Sequence, residues 1–129
     1  MKLNQVTLPS LDLARGVAFY EQLGLTLIVD ALPRYVRLAC PGEGSTLSLH
    51  LVAELPKGEA RTVIYFECED LDERVGRLQA AGLTIESGPR DESWLWREAR
   101  LKDPDGNPVC LYFAGENRLN PPWRIPPDA

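Results

Sequence analysis

Two stretches of this chain carry the same pattern of apolar and polar positions. Each begins at an aspartate, Asp12 or Asp70, and ends at a Gly-Leu-Thr triplet that starts at Gly24 or Gly82. Aspartate is a favourable N-cap and glycine a favourable helix stop. Glu73, three residues after Asp70, adds the capping-box arrangement. Apolar residues recur between these limits at helical spacing, which predicts helices at Leu13–Leu23 and Leu71–Ala81.

Segments suited to β-strands surround both predicted helices, because they are rich in β-branched, leucine and aromatic residues. The pattern predicts one strand before each helix and three strands after it. The predicted strands are Leu3–Leu8, Leu25–Val29, Tyr35–Ala39 and Thr46–Val52 in the first half, and Val63–Cys68, Leu83–Glu86, Trp94–Leu101 and Val109–Ala114 in the second. Ala53–Arg61 is the predicted connector. The chain should therefore be an α+β protein with two copies of one βαβββ unit, and such duplicated half-sheets favour a ligand cleft.

The segment Asp103-Pro104-Asp105-Gly106-Asn107 predicts a tight turn between the last two strands. A hairpin centred on Asp105 would place Arg100 opposite Cys110 and Glu98 opposite Tyr112. Strand alternation would then bring five candidate ligand-binding side chains to one face: Trp96, Glu98, Arg100, Cys110 and Tyr112. Aromatic walls suit flat ligands, and an arginine suits a carboxylate or phosphate. The alternative is that the tryptophans cover a dimer seam.

Composition limits the class of partner. With 129 residues, 44% hydrophobic and 26% charged, the chain has the size and composition of one globular domain. Its formal charge of −5, without a basic block, argues against nucleic acid or an anionic membrane as partner. Cys40, Cys68 and Cys110 are widely scattered, which favours reduced thiols in a cytoplasmic protein over a zinc site or disulfides. We also expect no signal peptide.

Several landmarks together resemble the vicinal oxygen chelate superfamily, which includes glyoxalase I, the bleomycin- and fosfomycin-resistance proteins and the extradiol dioxygenases. They are Phe19-Tyr20 before Leu23-Gly24-Leu25, the step Glu67-Cys68-Glu69-Asp70-Leu71, and Asp103-Pro104-Asp105-Gly106-Asn107. The resemblance covers roughly residues 2–114. It implies one glyoxalase-like domain over 1–114, with module one at about 1–55 and module two at about 60–114, forming a curled mixed sheet around a cleft. It also implies a homodimer. Independently of the resemblance, the four prolines among residues 115–129 predict an extended Pro-rich tail, in which Trp123 docks on its own domain or on a partner subunit.

Members of this superfamily that use metal place one ligand on the first strand of each module and another on the last strand. Carried onto this chain, the first-strand positions are Gln5 and Val63, and the last-strand positions are His50 and Cys110. Gln5 and His50 carry donors that suit a divalent zinc, manganese, nickel or iron ion. Val63 has no donor, and Cys110 is either a soft ligand or a small buried hydrophobe. The ligand set is incomplete, so the resemblance leaves open both one divalent metal and none.

Two functions remain open on these residues. The first is a divalent-metal-dependent enzyme of lyase, isomerase or dioxygenase type that acts on a small oxygen-rich substrate. Gln5 and His50 would be its metal ligands and Glu67, on the face of Val63, its third ligand or catalytic base. The second is a metal-free protein that sequesters a small aromatic or drug-like molecule. The Gln5/His50 pair favours the enzyme, to which we lean, and the missing donor at Val63 favours the binding protein.

Overall fold

The computed structural model describes residues 3–42, 44–57 and 62–127. Each half contains a strand, a helix and three further strands, in that order. The first half comprises β1 (Gln5–Ser10), α1 (Leu13–Gln22), β2 (Thr26–Ala31), β3 (Tyr35–Ala39) and β4 (Thr46–Leu51). The second half comprises β5 (Ile64–Glu67), α2 (Leu71–Ala80), β6 (Ser87–Asp91), β7 (Arg97–Lys102) and β8 (Pro108–Phe113), followed by a 3-10 helix at Gly115–Asn117.

The four strands of each half form an open sheet, and both sheets have the same topology. Their strand orders are β1-β4-β3-β2 and β5-β8-β7-β6. The first and last strands of each half pair in parallel, whereas β2–β3, β3–β4 and β6–β7 are antiparallel. The predicted α+β class and the βαβββ repeat are confirmed. The chain divides into unit 1, within Met1–Thr62 and Lys102–Asn107, and unit 2, within Val63–Leu101 and Pro108–Ala129.

Helix α1 begins and ends where its capping residues predict. The Asp12 Oδ1 atom accepts a hydrogen bond from the Arg15 N–H across 3.1 Å. Gly24, just beyond the helix, has a φ of +100°, which a residue without a Cβ adopts without strain. The helix packs on the apolar face of its sheet, where Val36 pairs with Leu49. The opposite sheet face is therefore left to polar residues of β1, β3 and β4.

Helix α2 begins at its predicted residue and ends one residue before the predicted end, but it lacks its predicted cap. The Asp70 side chain makes no capping hydrogen bond, so the capping-box expectation for Asp70 and Glu73 is wrong. Asp70 instead pairs with Arg74 and Arg77 on the same helix, at 3.3 and 2.8 Å. The predicted apolar stripe is confirmed, since Leu71, Val75 and Leu78 are buried.

The strand after α2 lies later than predicted. Leu83–Glu86 is not a strand, and β6 instead occupies Ser87–Asp91. Sequence patterns argue against a strand at Ser87–Asp91, because Gly88 and Pro89 are poor strand residues. β6 is an edge strand with a bulge between Ser87 and Arg90, and such positions tolerate both residue types. The next strand begins at Arg97 rather than Trp94, because a turn closes through a hydrogen bond from Glu92 N–H to the Trp96 carbonyl.

Unit 1 includes the predicted turn at Asp103–Asn107, whose polar side chains are buried. The Asp103 N–H donates to the Asn107 carbonyl across 3.0 Å, as a hairpin centred on Asp105 requires. The Ser10 hydroxyl donates to Asp105 Oδ2 at 2.6 Å, and the Tyr20 hydroxyl donates to Asp103 Oδ2 at 2.8 Å. These contacts fix the turn against β1 and α1 inside unit 1.

The tail is not extended throughout, because its first residues form the 3-10 helix. The Glu67 Oε2 atom accepts hydrogen bonds from the Ala114 and Gly115 N–H groups, at 2.9 and 3.0 Å, and so caps this helix. Part of the predicted connector, residues 58–61, lies outside the described residues. Within the described part of the chain, the helices are too short or too polar to cross a bilayer.

Candidate functional site

Unit 2 brings three aromatic side chains together on one side of its sheet. The rings of Trp96 and Tyr112 are stacked, with centroids 4.5 Å apart and planes inclined by 15°. Tyr65 meets both edge-on, at centroid distances of 6.1 and 5.7 Å. Tyr65 is 46% exposed, so the cluster presents aromatic surface to solvent. We call Tyr65, Trp96 and Tyr112 the aromatic cluster.

A buried ion pair lies beside the aromatic cluster. Glu98 is only 4% exposed. Its Oε1 atom lies 2.7 Å from Arg100 Nη2, and its Oε2 atom accepts a hydrogen bond from Trp94 Nε1 across 2.7 Å. The Arg100 guanidinium carbon lies 5.5 Å from the centre of the Tyr65 ring, a cation–π distance. Arg100 therefore balances the negative charge of Glu98, and Glu98 holds Arg100 against the aromatic cluster.

Cys110 and Val63 belong to the apolar side of the same cluster. Cys110 is fully buried and packs with Tyr112 and Ala114, while Val63 and Trp96 pack against this group. Burial raises the pKa of the Cys110 thiol to about 12, against the weaker opposing effect of Arg100. Cys110 therefore packs here as a small buried hydrophobe. Five of the predicted site residues thus lie together in unit 2, around an aromatic and largely apolar centre.

Glu67 is the last residue of β5, two positions after Tyr65 of the aromatic cluster. Its carboxylate accepts hydrogen bonds from backbone N–H groups at the start of the tail. Besides its two backbone hydrogen bonds, its Oε1 atom lies 3.7 Å from Arg118 Nε. A carboxylate that accepts two N–H groups at the start of a helix has a structural role. Its predicted role as a catalytic base or metal ligand stays a prediction.

The two predicted metal ligands of unit 1 lie apart. Gln5 pairs with Thr46, and the Thr46 hydroxyl donates to Gln5 Oε1 across 3.0 Å. His50 pairs with Pro9, so Gln5 and His50 are four register positions apart. At about 3.3 Å per residue this is roughly 13 Å along the strands. Strand side chains stand roughly perpendicular to the sheet, so these two do not converge.

The pairing registers also show which positions of the two repeats are equivalent. On the first strand of the second half, Tyr65 pairs with Cys110. Two residues after Gln5 on the first strand of the first half, Thr7 pairs with Ser48. Ser48 is therefore the counterpart of Cys110, and His50 is the counterpart of Tyr112. Sequence reasoning missed this two-residue offset because it follows from pairing and not from residue type.

The donor set does not fit the divalent metal that the superfamily resemblance implies. Gln5 and His50 are separated along the sheet, Val63 lacks a donor, and Cys110 packs in an apolar cluster. Across residues 3–42, 44–57 and 62–127, no three His, Cys, Asp or Glu side chains are grouped so that they could hold a metal ion.

An open groove of about 320 Å³ also lies in unit 2, at the start of α2. Two of its carboxylates are already paired, because Arg97 binds Asp72 at 2.9 Å and Arg77 binds Asp70 at 2.8 Å. Hydrogen bonds from Arg97 and Arg77 hold the pKa values of Asp72 and Asp70 below their ordinary range. The groove is thus an ion-pair network at a helix terminus and offers a ligand little unpaired chemistry.

The sequence did not predict a group of hydrogen-bonded polar side chains on the unit 1 sheet. On β3 and β4 of unit 1, the Tyr35 hydroxyl lies 2.6 Å from Ser48 Oγ and accepts a hydrogen bond from Arg37 Nε across 3.0 Å. The hydrogen bond with Ser48 and, more weakly, the one from Arg37 lower the pKa of Tyr35, although desolvation acts in the opposite direction. The alternation of polar and apolar residues along β3 was the signal that could have found this group.

In a comparison with protein families, the model of the Glyoxalase/Bleomycin resistance protein/Dioxygenase superfamily matches residues 2–111. A search of curated proteins gave no match.

Solved structures with the same fold include a glyoxalase/bleomycin resistance protein/dioxygenase from Nocardioides, 26% identical with a TM-score of 0.75, over 98% of this chain and 90% of that chain. TnmS3, an antibiotic binding protein from Streptomyces sp. CB03234, is 28% identical with a TM-score of 0.74, over 88% and 96% of the two chains. A lactoylglutathione lyase from Agrobacterium tumefaciens is 19% identical with a TM-score of 0.71, over 87% and 92%, a likeness that shows the fold alone.

Proposed function

Because this chain belongs to the Glyoxalase/Bleomycin resistance protein/Dioxygenase superfamily, we propose that it is a binding protein for a small, flat aromatic molecule and works without a metal. The observation that carries the proposal is the aromatic cluster of unit 2. It combines two stacked rings, a half-exposed Tyr65 and an arginine over the Tyr65 ring. The similarity to an antibiotic binding protein supports the same class of function.

The geometry of the cluster sets where such a ligand would bind. The rings of Trp96 and Tyr112 are already in contact, at 4.5 Å between centroids. A ligand would therefore lie against the exposed Tyr65 side of the cluster, and not between those two rings. Aromatic rings gain about 0.5–1.5 kcal/mol per stacked or edge-to-face pair beyond area burial. Glu98 compensates the charge of Arg100, so the ligand needs no anionic group.

The superfamily includes metal-dependent enzymes, but the residues that would have to hold a metal here support the binding protein better. The cluster that surrounds Val63 and Cys110 is apolar, which favours packing over coordination. We further propose that the protein is a homodimer, as the resemblance implies. Its three cysteines are free, which supports a reducing, cytoplasmic setting.

The test is a titration with 1-naphthol, a planar neutral probe, against its saturated analogue decahydro-1-naphthol. We expect 1-naphthol to shift the indole N–H NMR signal of Trp96 and to leave that of the exposed Trp123 unchanged. Calorimetry should show weaker binding for Trp96→Leu and unchanged binding for Trp123→Leu. Equal binding of both compounds, or equal loss in both variants, would contradict an aromatic site. Stoichiometric uptake of zinc, manganese, nickel or iron that is lost in His50→Ala would instead favour the enzyme.

A further inference from the structure

The polar face of the unit 1 sheet carries an arginine whose charge is not balanced locally. Arg37 donates through Nε to the Tyr35 hydroxyl at 3.0 Å, and its guanidinium carbon lies 5.5 Å from the centre of that ring. Among the residues that the structure describes, no Asp or Glu side chain forms an ion pair with Arg37. Its terminal nitrogens therefore keep N–H donors for a ligand.

The groups around Arg37 are fixed before any ligand arrives. Arg37 pairs with Ser48, and Tyr35 pairs with His50, in the β3–β4 register. Ser48 is fully buried and lies 2.6 Å from the Tyr35 hydroxyl. The phenol is thus held between a buried hydroxyl and a guanidinium. A ligand that binds here would meet an already ordered set of donors, which lowers the entropic cost of binding.

The internal repeat supplies a comparison for this arginine. Ser48 and Cys110 are equivalent positions, and the hairpin centred on Asp105 places Arg100 opposite Cys110, as Arg37 lies opposite Ser48. The residue two positions before Arg100 is Glu98, whose carboxylate lies 2.7 Å from the guanidinium. The residue two positions before Arg37 is Tyr35. The same arginine position is therefore neutralised in unit 2 and left cationic in unit 1.

We infer that Arg37, Tyr35 and Ser48 form a binding site for a small oxyanion, the carboxylate or phosphate group of a small molecule. The planar guanidinium can donate two parallel hydrogen bonds to either group. Arg37 and Tyr35 are only partly exposed, so salt screens the contact less than it would on an open surface. His50, exposed and opposite Tyr35 on the same sheet face, can add a further N–H donor.

The experiment is a calorimetric titration of the full chain with inorganic phosphate and, separately, with acetate, at constant ionic strength. We expect one of the two to bind, and Arg37→Gln to weaken that binding by about 10-fold or more. Binding of phosphate alone would assign the site to a phosphoryl group, and binding of acetate alone would assign it to a carboxylate. Binding of neither would overturn the proposal.

The matched control is Arg34→Gln, which removes the same charge from the exposed turn before β3. It should change the affinity by less than about 2-fold. Equal losses in Arg34→Gln and Arg37→Gln would show a non-specific effect of net charge and would overturn the site. Arg37→Lys keeps the charge but removes the two-pronged donor. It should also bind more weakly, and it tests the site even if Arg37→Gln fails to fold.

Discussion

The Tyr20 hydroxyl donates a hydrogen bond to Asp103 Oδ2 across 2.8 Å, and both side chains are buried. Burial raises the pKa of Tyr20 far above its ordinary value, and the neighbouring Asp103 carboxylate raises it further. The phenol therefore stays protonated and remains a donor. The bond joins α1 to the turn at Asp103–Asn107, whose backbone Asp103 also orders by accepting the N–H groups of Asp105 and Asn107.

Replacing Tyr20 by phenylalanine should lower the free energy of unfolding by about 1–3 kcal/mol, because the Asp103 carboxylate would lose a buried donor. Denaturant unfolding followed by circular dichroism would measure the change. Tyr112→Phe is the control, since the Tyr112 hydroxyl makes no hydrogen bond within residues 3–42, 44–57 and 62–127, and it should cost less than about 0.5 kcal/mol. Equal effects of the two variants would contradict a specific role for the Tyr20 bond.

Two helical glycines offer a matched pair with opposite expected signs. A Cβ added at Gly16 would overlap Leu49 Cδ1 in the buried contact between α1 and β4. Gly16→Ala should therefore destabilise the protein by about 1–3 kcal/mol. At Gly76 an added Cβ meets nothing within 4 Å, so Gly76→Ala should stabilise α2 by about 0.5–1 kcal/mol. Thermal unfolding of both variants checks the pair. A neutral Gly16→Ala would mean that Leu49 yields without cost.

A comparison of the predicted and observed elements shows which parts of the fold could be predicted from the sequence. Residue types that act locally were sufficient for α1, where Asp12 and Gly24 mark both ends, and for β3, whose predicted bounds are the observed ones. They failed for β6, because an edge position outweighs the poor strand propensity of Gly88 and Pro89. Local types also overstate the capping role of Asp70, which two arginines one and two turns along the helix engage instead.

The candidate sites depend on register more than on residue type. A lone histidine draws attention to His50, yet the pairing places Ser48 at the position equivalent to Cys110. The Tyr35–Ser48 contact joins residues on neighbouring strands, and a slip of one residue would separate them. The hairpin centred on Asp105 was predictable because its turn residues fix its register. The aromatic cluster followed from that hairpin for Trp96 and Tyr112.

The Cys110 thiol should make stability fall at alkaline pH. Its pKa rises from 9.0 to about 12 on burial, so the unfolded chain loses this proton before the folded chain does. The contribution is fully present below about pH 9 and is lost as the pH rises towards 12, by at most about 1.4 kcal/mol per pH unit for one proton. Cys110→Ala should make this decline shallower in unfolding experiments at pH 8, 9 and 10.

The control for this pH effect is Cys40→Ala. Burial also raises the pKa of Cys40, but its side chain is only partly buried. Its replacement should change the decline less than Cys110→Ala does. A decline that is the same in wild type and Cys110→Ala would show that Cys110 ionises at its ordinary pKa in the folded protein.

The Glu67 carboxylate should matter for stability through its two backbone hydrogen bonds. Glu67→Ala leaves the N–H groups of Ala114 and Gly115 without their acceptor, and should lower the free energy of unfolding by about 1–3 kcal/mol. Glu69→Ala, at an exposed position two residues later, should change it by less than about 0.5 kcal/mol. If Glu67→Ala is fully stable, the engaged carboxylate has no structural role, and the prediction that it is catalytic gains weight.

The last prediction concerns the tail and the proposed homodimer. Leu119, Trp123 and Ile125 are 60%, 58% and 77% exposed in the single chain, although the tail begins with firm contacts. Trp96 Nε1 donates to the Asn117 carbonyl across 3.3 Å. Exposed apolar side chains on a segment whose first residues are held in place are well positioned to be covered by a second copy of the chain.

Light scattering should therefore give twice the chain mass for the full chain, and less for a chain that ends at Arg118. Trp123→Ser and Ile125→Ser together should weaken the dimer similarly, whereas Leu3→Ser, at a 97% exposed position, should not. A full chain that is monomeric would contradict the dimer, and a dimer that survives both tail changes would contradict only the role of the tail.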